Sequence, residues 1–263
     1  MAGRFGRAFQ DLNAAAKLYR VWVHQAYYGI SAKYKRTALG SIWISGGIMA
    51  SSLSMAIVFG GVFGQDLKVA FPMIMAGIIC FALAAFPLNE GPESYMSNAV
   101  MIVNHAYPFN YFIFESVCKA FFLFLHNIIV FYVAVALTGS LKAPHWTIIP
   151  GLSLVLLSMF VWSNCAAMLA ARFRDVRFLL PFLGSLMFVL TPVFWPAESL
   201  KGWRVALIHF NPIYGLLEII RQPLIGKAPP SEAWTLAIIS TALGVLAWLM
   251  FFPANRRRIP FWV

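Results

Sequence analysis

The sequence predicts an all-α integral membrane protein with six transmembrane helices, an N-terminal amphipathic interface helix and short re-entrant helices on the non-cytoplasmic side. Three observations carry this. Of the 263 residues, 61% are hydrophobic and only 11% charged, far from the balance of a soluble domain. The charges fall in short clusters between long uncharged runs, as a hydrocarbon core that excludes ions requires. Six of those runs can cross roughly 30 Å of hydrocarbon, which takes about 20 residues.

In chain order, the first 36 residues carry mixed charge and precede any long apolar run, which does not fit a signal peptide. Among them Phe5, Phe9, Leu12, Ala16, Tyr19 and Val23 recur at three- and four-residue steps, with Arg4, Arg7, Asp11, Lys17 and Arg20 largely between them. That periodicity predicts a helix lying in the cytoplasmic interface, or alternatively packed on a soluble partner. The apolar runs then cover 37–65, 69–89, 120–141, 147–171, 178–197 and 233–255, and 256–263 form a tail. One membrane domain accounts for 1–263: interface helix 1–36, bundle 37–255 and tail.

Orientation follows from the lysines and arginines of the connections. With the N-terminus inside, the cytoplasmic side receives Arg4, Arg7, Lys17, Arg20, Lys33, Lys35, Arg36, Arg172, Arg174, Arg177, Arg256, Arg257 and Arg258. The other side receives Lys68, Lys142, Lys201, Arg204, Arg221 and Lys227. Thirteen against six places both ends in the cytoplasm, with Lys119 near a boundary and left out. The net charge of +11 is therefore read as topology signal and lipid anchor rather than a nucleic-acid surface.

The connection 196–231 is too apolar for an ordinary loop, and its apolar stretches, about 203–210 and 213–224, are too short to span. Asn211 as a cap with Pro212 in the first turn begins a helix whose apolar face is Ile213, Leu216, Leu217 and Ile220, and Gly226 stops it. Lys201, Arg204, Glu218 and Arg221 weigh against additional partial spans. Two short re-entrant or interfacial helices are expected.

No phosphate-cradling GxxxxGK loop is present, so any ATP-driven work needs a separate ATPase. Glu90 and Glu93, one turn apart at the end of the second span, are the deepest carboxylates. They read equally as pore liners or as a solvated helix end. His24 and His105 fall inside, His145 and His209 outside, and His126 midway in the third span, where a hydrogen-bonded packing role or a pore-lining one is expected. Such separated groups assemble no nucleophilic or metal constellation. Cys80, Cys118 and Cys165 lie apart in apolar runs and read as small buried hydrophobes.

Three clusters remain. Lys33-Tyr34-Lys35-Arg36-Thr37-Ala38-Leu39-Gly40-Ser41-Ile42-Trp43 leads into the first span. Arg172-Phe173-Arg174-Asp175-Val176-Arg177 precedes the fifth, which carries Pro181 and ends at Pro192-Val193-Phe194. Asn211-Pro212 and Arg221 lie in the outer connection. In this order and spacing they resemble the permease subunits of type-2 ABC exporters, in the O-antigen and capsular polysaccharide branch. Those share a basic, Tyr-containing run into LGxxW, an RD turn, a PVF-like end and an outer NP. Thr37 and Ala38 depart from the pattern, where a serine is expected nearby.

The resemblance implies a homodimer enclosing a channel in a bacterial inner membrane, driven by two ATPase subunits that hold ATP and Mg, with no cofactor on this chain. It implies that Val100, Met101, Ile102, Val103, Asn104 and His105, in the segment 100–108, dock on that ATPase. It gives Lys35, Arg36, Trp43, Arg174, Asp175, Asn211, Pro212 and Arg221 structural or gating roles. The cargo would be a lipid-linked polysaccharide, with a drug, a teichoic-acid-like polymer or a membrane transferase activity as alternatives. Sugar C–H faces pack on aromatic rings, so Phe59, Phe63, Phe71, Phe81 and Phe86 are candidate channel liners, lipid-facing packing being the alternative. Arg174 and Asp175 are expected to make a specific hydrogen-bonded contact with the interface helix or the ATPase rather than only to fix topology.

Overall fold

A computed structural model describes residues 2–35, 40 and 42–263. Arg36, Thr37, Ala38, Leu39 and Ser41 lie outside the described residues, as do the side chains of Lys33, Tyr34 and Arg204, so the basic run into the first span is described mainly at Lys35, Gly40 and Trp43. Every element among the described residues is helical. In order they are α1 Ala2–Lys17, α2 Tyr19–Tyr34, α3 Ile42–Val62, α4 Leu67–Ala84, α5 Phe86–Asn89, α6 Glu93–Met96, α7 Ala99–Asn104 and α8 Phe109–Leu137. There follow α9 Ile148–Arg172, α10 Val176–Leu190, α11 Ala206–His209, α12 Pro212–Leu224, α13 Ser231–Asn255 and α14 Ile259–Trp262.

Five of these, α3, α4, α8, α9 and α13, are long and apolar enough to cross a membrane, the last continuous with α14 in that respect. The fifth expected span, α10, has 15 residues, about 22 Å at 1.5 Å per residue. It stops at Thr191, whose extended backbone is what a residue before proline favours. The third span begins earlier than the uncharged run indicated. Pro108 sits at its N-cap, and Glu115 and Lys119, four residues apart, are carried half-buried inside the helix, a spacing at which opposite charges are neighbours.

Local signals account for the ends. Asp66 caps α4 by accepting from the Lys68 amide at 2.9 Å. Asn211 caps α12 by accepting from the amides of Ile213 at 3.0 Å and Tyr214 at 3.3 Å. Gly226, at φ 78°, ends α12 as expected. Between α4 and α7 the chain makes only single turns, because Pro87, Gly91 and Pro92 interrupt the helix. A Cβ on Gly91 would lie 2.6 Å from the Pro87 carbonyl oxygen. Glu90 and Glu93, expected one turn apart on the end of the second span, are separated by this break, Glu90 ending α5 and Glu93 beginning α6.

α9 is the central pillar, packed against α4, α5, α6, α8, α12 and α13, with residues such as Val155, Met159 and Ala167 fully enclosed. α3 and α10 are peripheral. Gly184 is the one buried residue of α10, and its outer face presents Phe178, Phe182 and Val189.

The N-terminal segment also needs correction. It breaks at Leu18 into two helices, and the side packed on α8 and α13 is built from Ala8, Asp11 and Ala15. The expected apolar stripe lies on the adjacent face, where Phe5, Phe9 and Tyr19 are exposed. Periodicity found the stripe, and its exposure is what a helix lying in an interface requires. Alanines let helix backbones approach closely, and Asp11 has partners that a hydropathy pattern cannot display.

Candidate functional site

Two polar assemblies, one at each end of the bundle, hold the elements that the sequence singled out. At the end shared by α1, α6, α7 and the C-terminal residues, the Asp11 carboxylate accepts from the amides of Phe109 (3.2 Å) and Asn110 (3.1 Å) and from the Asn110 carboxamide (2.8 Å). Arg256 completes the shell at 3.0 Å. The two amides belong to the first turn of α8, so Asp11 caps that helix from a different part of the chain, where an acceptor and a negative charge are both favourable. The network continues inward. Asn164 donates to Asn110 at 2.9 Å, and the Tyr95 hydroxyl donates to Asn164 at 2.9 Å. Burial, and after it the Asp11 charge, push the Tyr95 phenol well above its ordinary pKa, which keeps it a donor. One continuous chain thus joins α1, α6, α8, α9 and Arg256.

Beside it, Arg177 makes a two-pronged pair with Glu93 at 2.7 and 2.8 Å, fixing α10 to α6. The contact expected of Arg174 and Asp175 is not made within the chain. Both are exposed, Asp175 makes no side-chain capping bond, and neither side chain has a hydrogen-bonded partner among the described residues. The planar fork that the argument required belongs to Arg177. Arg172 lies over the rings of Phe173 and Trp262, 5.5 and 5.7 Å from their centroids, tying the same turn to α14.

α7 stands on this platform. Ile102 is buried and Met101 partly so, whereas Val100 and Val103 are 73% and 59% exposed and Asn104 and His105 are open. Valines three apart on one face form an apolar spot, which none of the described residues covers.

At the opposite end the second and third clusters meet. The Asn211 carboxamide donates to the Thr191 hydroxyl at 2.8 Å, and Arg221 donates to the Pro192 carbonyl and pairs with Glu218. Glu218 also accepts from Gln222 at 2.7 Å. Val193 is fully buried, so close to Gly77 of α4 that a Cβ there would lie 2.6 Å from the Val193 carbonyl oxygen. Helix α12 and α4 therefore clamp the Pro192-Val193-Phe194 turn. The charges of α12, which in the sequence weighed against a further partial span, are enclosed. Glu218 and Arg221 neutralise each other inside, at 2% and 3% exposure, and eleven of the thirteen residues of α12 are buried. Pro212 is exposed at its start, as are Lys35 and Trp43 near the start of α3.

The aromatic candidates divide. Phe71, Phe81 and Phe86 are 5%, 5% and 3% exposed, so in this conformation they pack in the core of the chain and present no open surface. Phe59 and Phe63 retain access. They begin a string of rings that the sequence reading missed, running Phe63–Phe59–Phe194–Phe188–Phe81 with centroids 6.5, 4.6, 5.6 and 5.1 Å apart. The signal available for it was the Phe of the PVF end. Glu90 is exposed, and Glu93 is committed to Arg177. His126 lacks the hydrogen bond of a packing role, since its Nε2 is buried with no hydrogen-bond partner among the described residues.

A long apolar bundle with a platform of polar contacts at one end and a clamped turn at the other has the build of a transport subunit. No curated protein matches the chain. The ABC-2 type transporter family matches residues 33–225, from the basic run through α12, and the chain belongs to that family of membrane transport subunits.

Proposed function

We propose that the chain is the channel-forming subunit of an ATP-driven exporter that moves a lipid-linked polysaccharide from cytoplasm to periplasm across a bacterial inner membrane. It works as a homodimer with two copies of an ATPase subunit, which hold ATP and Mg. The observation that carries this reading is α7, an exposed Val100–Val103 face on a short helix braced from behind by α6 and α14. Rigid support behind an uncovered apolar spot is what a transmitted push from a partner requires. Asn104 and His105 add polar contacts at its rim. The polysaccharide reading rests on the order of the three clusters and on the partly accessible rings of Phe59, Phe63, Phe188 and Phe194, which suit sugar faces.

In this reading α10 is the fifth of six spans, α11 and α12 are re-entrant from the periplasmic side, and both termini are cytoplasmic. Phe5, Phe9 and Tyr19 face the lipid interface while Asp11 holds α1 to the bundle. Trp43 and Lys35 anchor the start of the first span, and Arg36 falls in the same basic run.

The test is co-expression with the cognate ATPase subunit. The purified chain alone hydrolyses no ATP, the complex hydrolyses it, and the co-purifying cargo is a sugar polymer on a lipid. Failure of any ATPase subunit to co-purify would remove the reading. Cysteines placed at Arg257 and Lys142 and labelled from opposite sides test the orientation, and labelling of both from one side would overturn it.

A further inference from the structure

At the end of the bundle opposite α1, the start of α4, the end of α8 with its following turn, and the end of α12 enclose a cleft of about 330 Å³, within the roughly 300–1,000 Å³ usual for ligand sites. Its walls are apolar, with Val69, Met73, Phe131 and Leu224 among them, and its rim carries Lys68, Lys142 and Lys227. No carboxylate lines it. All three lysines are exposed, and none makes an ion pair among the described residues. The frame is held in place. The Ser140 hydroxyl donates to the Lys68 carbonyl at 3.1 Å, and the Tyr132 hydroxyl donates to the Leu224 carbonyl at 3.1 Å. The Lys142 stem lies against Gly226, where a Cβ would come within 2.9 Å of the Lys142 Cβ.

The positive-inside bias gives no reason to gather cations at this end, yet three of the six that the sequence places there converge on one cleft. Like charges brought together without a carboxylate need an anion. Lysine meets phosphate as a point charge, and the apolar walls need hydrocarbon. A free inorganic anion would leave the walls unused, and a neutral sugar would leave the ammonium groups unused.

We propose that this cleft binds the phosphate of an anionic lipid, with the hydrocarbon next to the phosphate lying along the apolar wall. A bilayer phospholipid and the lipid carrier of an exported cargo present the same chemistry. The phospholipid source is independent of the export reading, and the carrier source rests on it.

The test uses the full chain in phosphatidylcholine nanodiscs containing a photoreactive phosphatidic acid, with cross-linked peptides mapped. Labelling concentrates in 135–142 and 224–227. Each lysine beside an anionic headgroup is worth roughly a factor of five in binding, so K68Q/K142Q/K227Q reduces labelling by about a hundredfold. Met73→Trp fills the cleft without changing its charge and also reduces labelling. Unlabelled phosphatidic acid competing better than a polyprenyl phosphate assigns the phospholipid, and the reverse assigns the carrier. Unchanged labelling in the triple variant overturns the site. Labelling that survives Met73→Trp overturns the cleft in favour of diffuse surface charge, and displacement by inorganic phosphate overturns the lipid. No ATPase subunit enters the experiment, so its result is separate from the failure of the exporter reading.

Discussion

Removing the Asp11 carboxylate strands four donors at once, and the cost can be worked from the geometry. Its side chain is 2% exposed, and Arg256, its ionic partner, is 20% exposed. Losing a helix cap costs about 1 kcal/mol. A hydrogen bond to a charged group contributes about 1.5–3 kcal/mol, and breaking a buried pair on one side costs about 3–5 kcal/mol. These overlap, since one side chain makes all the contacts, and water can reach the partly open guanidinium. Asp11→Ala is therefore expected to cost about 3 kcal/mol. At about 2–4 °C per kcal/mol for a chain of this size, the thermal midpoint in detergent falls by about 6–12 °C. Asp11→Asn keeps one acceptor for the α8 amides but turns a donor toward Arg256, and should fall about half as far. Combining Asp11→Ala with Arg256→Ala should cost less than the two singly, because no charge is then stranded. A midpoint for Asp11→Ala within a degree of wild type, or strict additivity with Arg256→Ala, would refute the network.

Other outcomes follow from particular contacts. Arg177→Lys and Glu93→Gln should each lower stability by about 1 kcal/mol or less, since the pair is a third or more exposed, and should impair export at matched membrane levels. Arg174→Lys and Asp175→Asn should leave the midpoint unchanged, and an export defect in either at wild-type stability would place its partner outside this chain. Gly151→Ala puts a methyl group into the Ile219 carbonyl of α12 and should cost about 1–3 kcal/mol, whereas Gly47→Ala, with open space around it, should hold the midpoint or raise it. Val100→Asp with Val103→Asp should leave the midpoint of the isolated chain unchanged and cut capture of the ATPase subunit about tenfold or more, the loss of two buried valines; undiminished capture removes α7 from the interface.

The helices were legible where a run of apolar residues ended at a turn residue. Asn211, Pro212 and Gly226 bounded α12 within a residue, because capping chemistry is local. The site was less legible, for reasons of distance and pairing. Asp11 meets Asn110 and Arg256 across 99 and 245 residues, and no period or spacing reports such a meeting. Glu218 and Arg221 read as signs of solvent when taken singly. Three apart on one helix they neutralise each other, so the segment that carries them is buried. The fork at Arg177 escaped for a smaller reason. The RD dipeptide drew attention to Arg174 and Asp175, while the side chain that reaches α6 is one helical turn further on.

These contacts also divide the bundle into what is packed along its length and what is held at a few points. α9 is buried along most of its length and joins both polar assemblies, through Asn164 at one end and by packing on α12 at the other. α10 is its opposite. Between the Arg177–Glu93 fork and the clamped Pro192 turn, only Gly184 is buried, and there α10 lies so close to Asn89 that a Cβ would collide with its carboxamide. Held at its two ends and at this one close approach, α10 links α6, which holds the fork, to the turn that α12 grips. The fork lies in the same short stretch of chain as α7, so a push on Val100 and Val103 would reach α10 through α6. It would not have to pass through the packed interior of α9, where small shifts are resisted by dense side-chain contact.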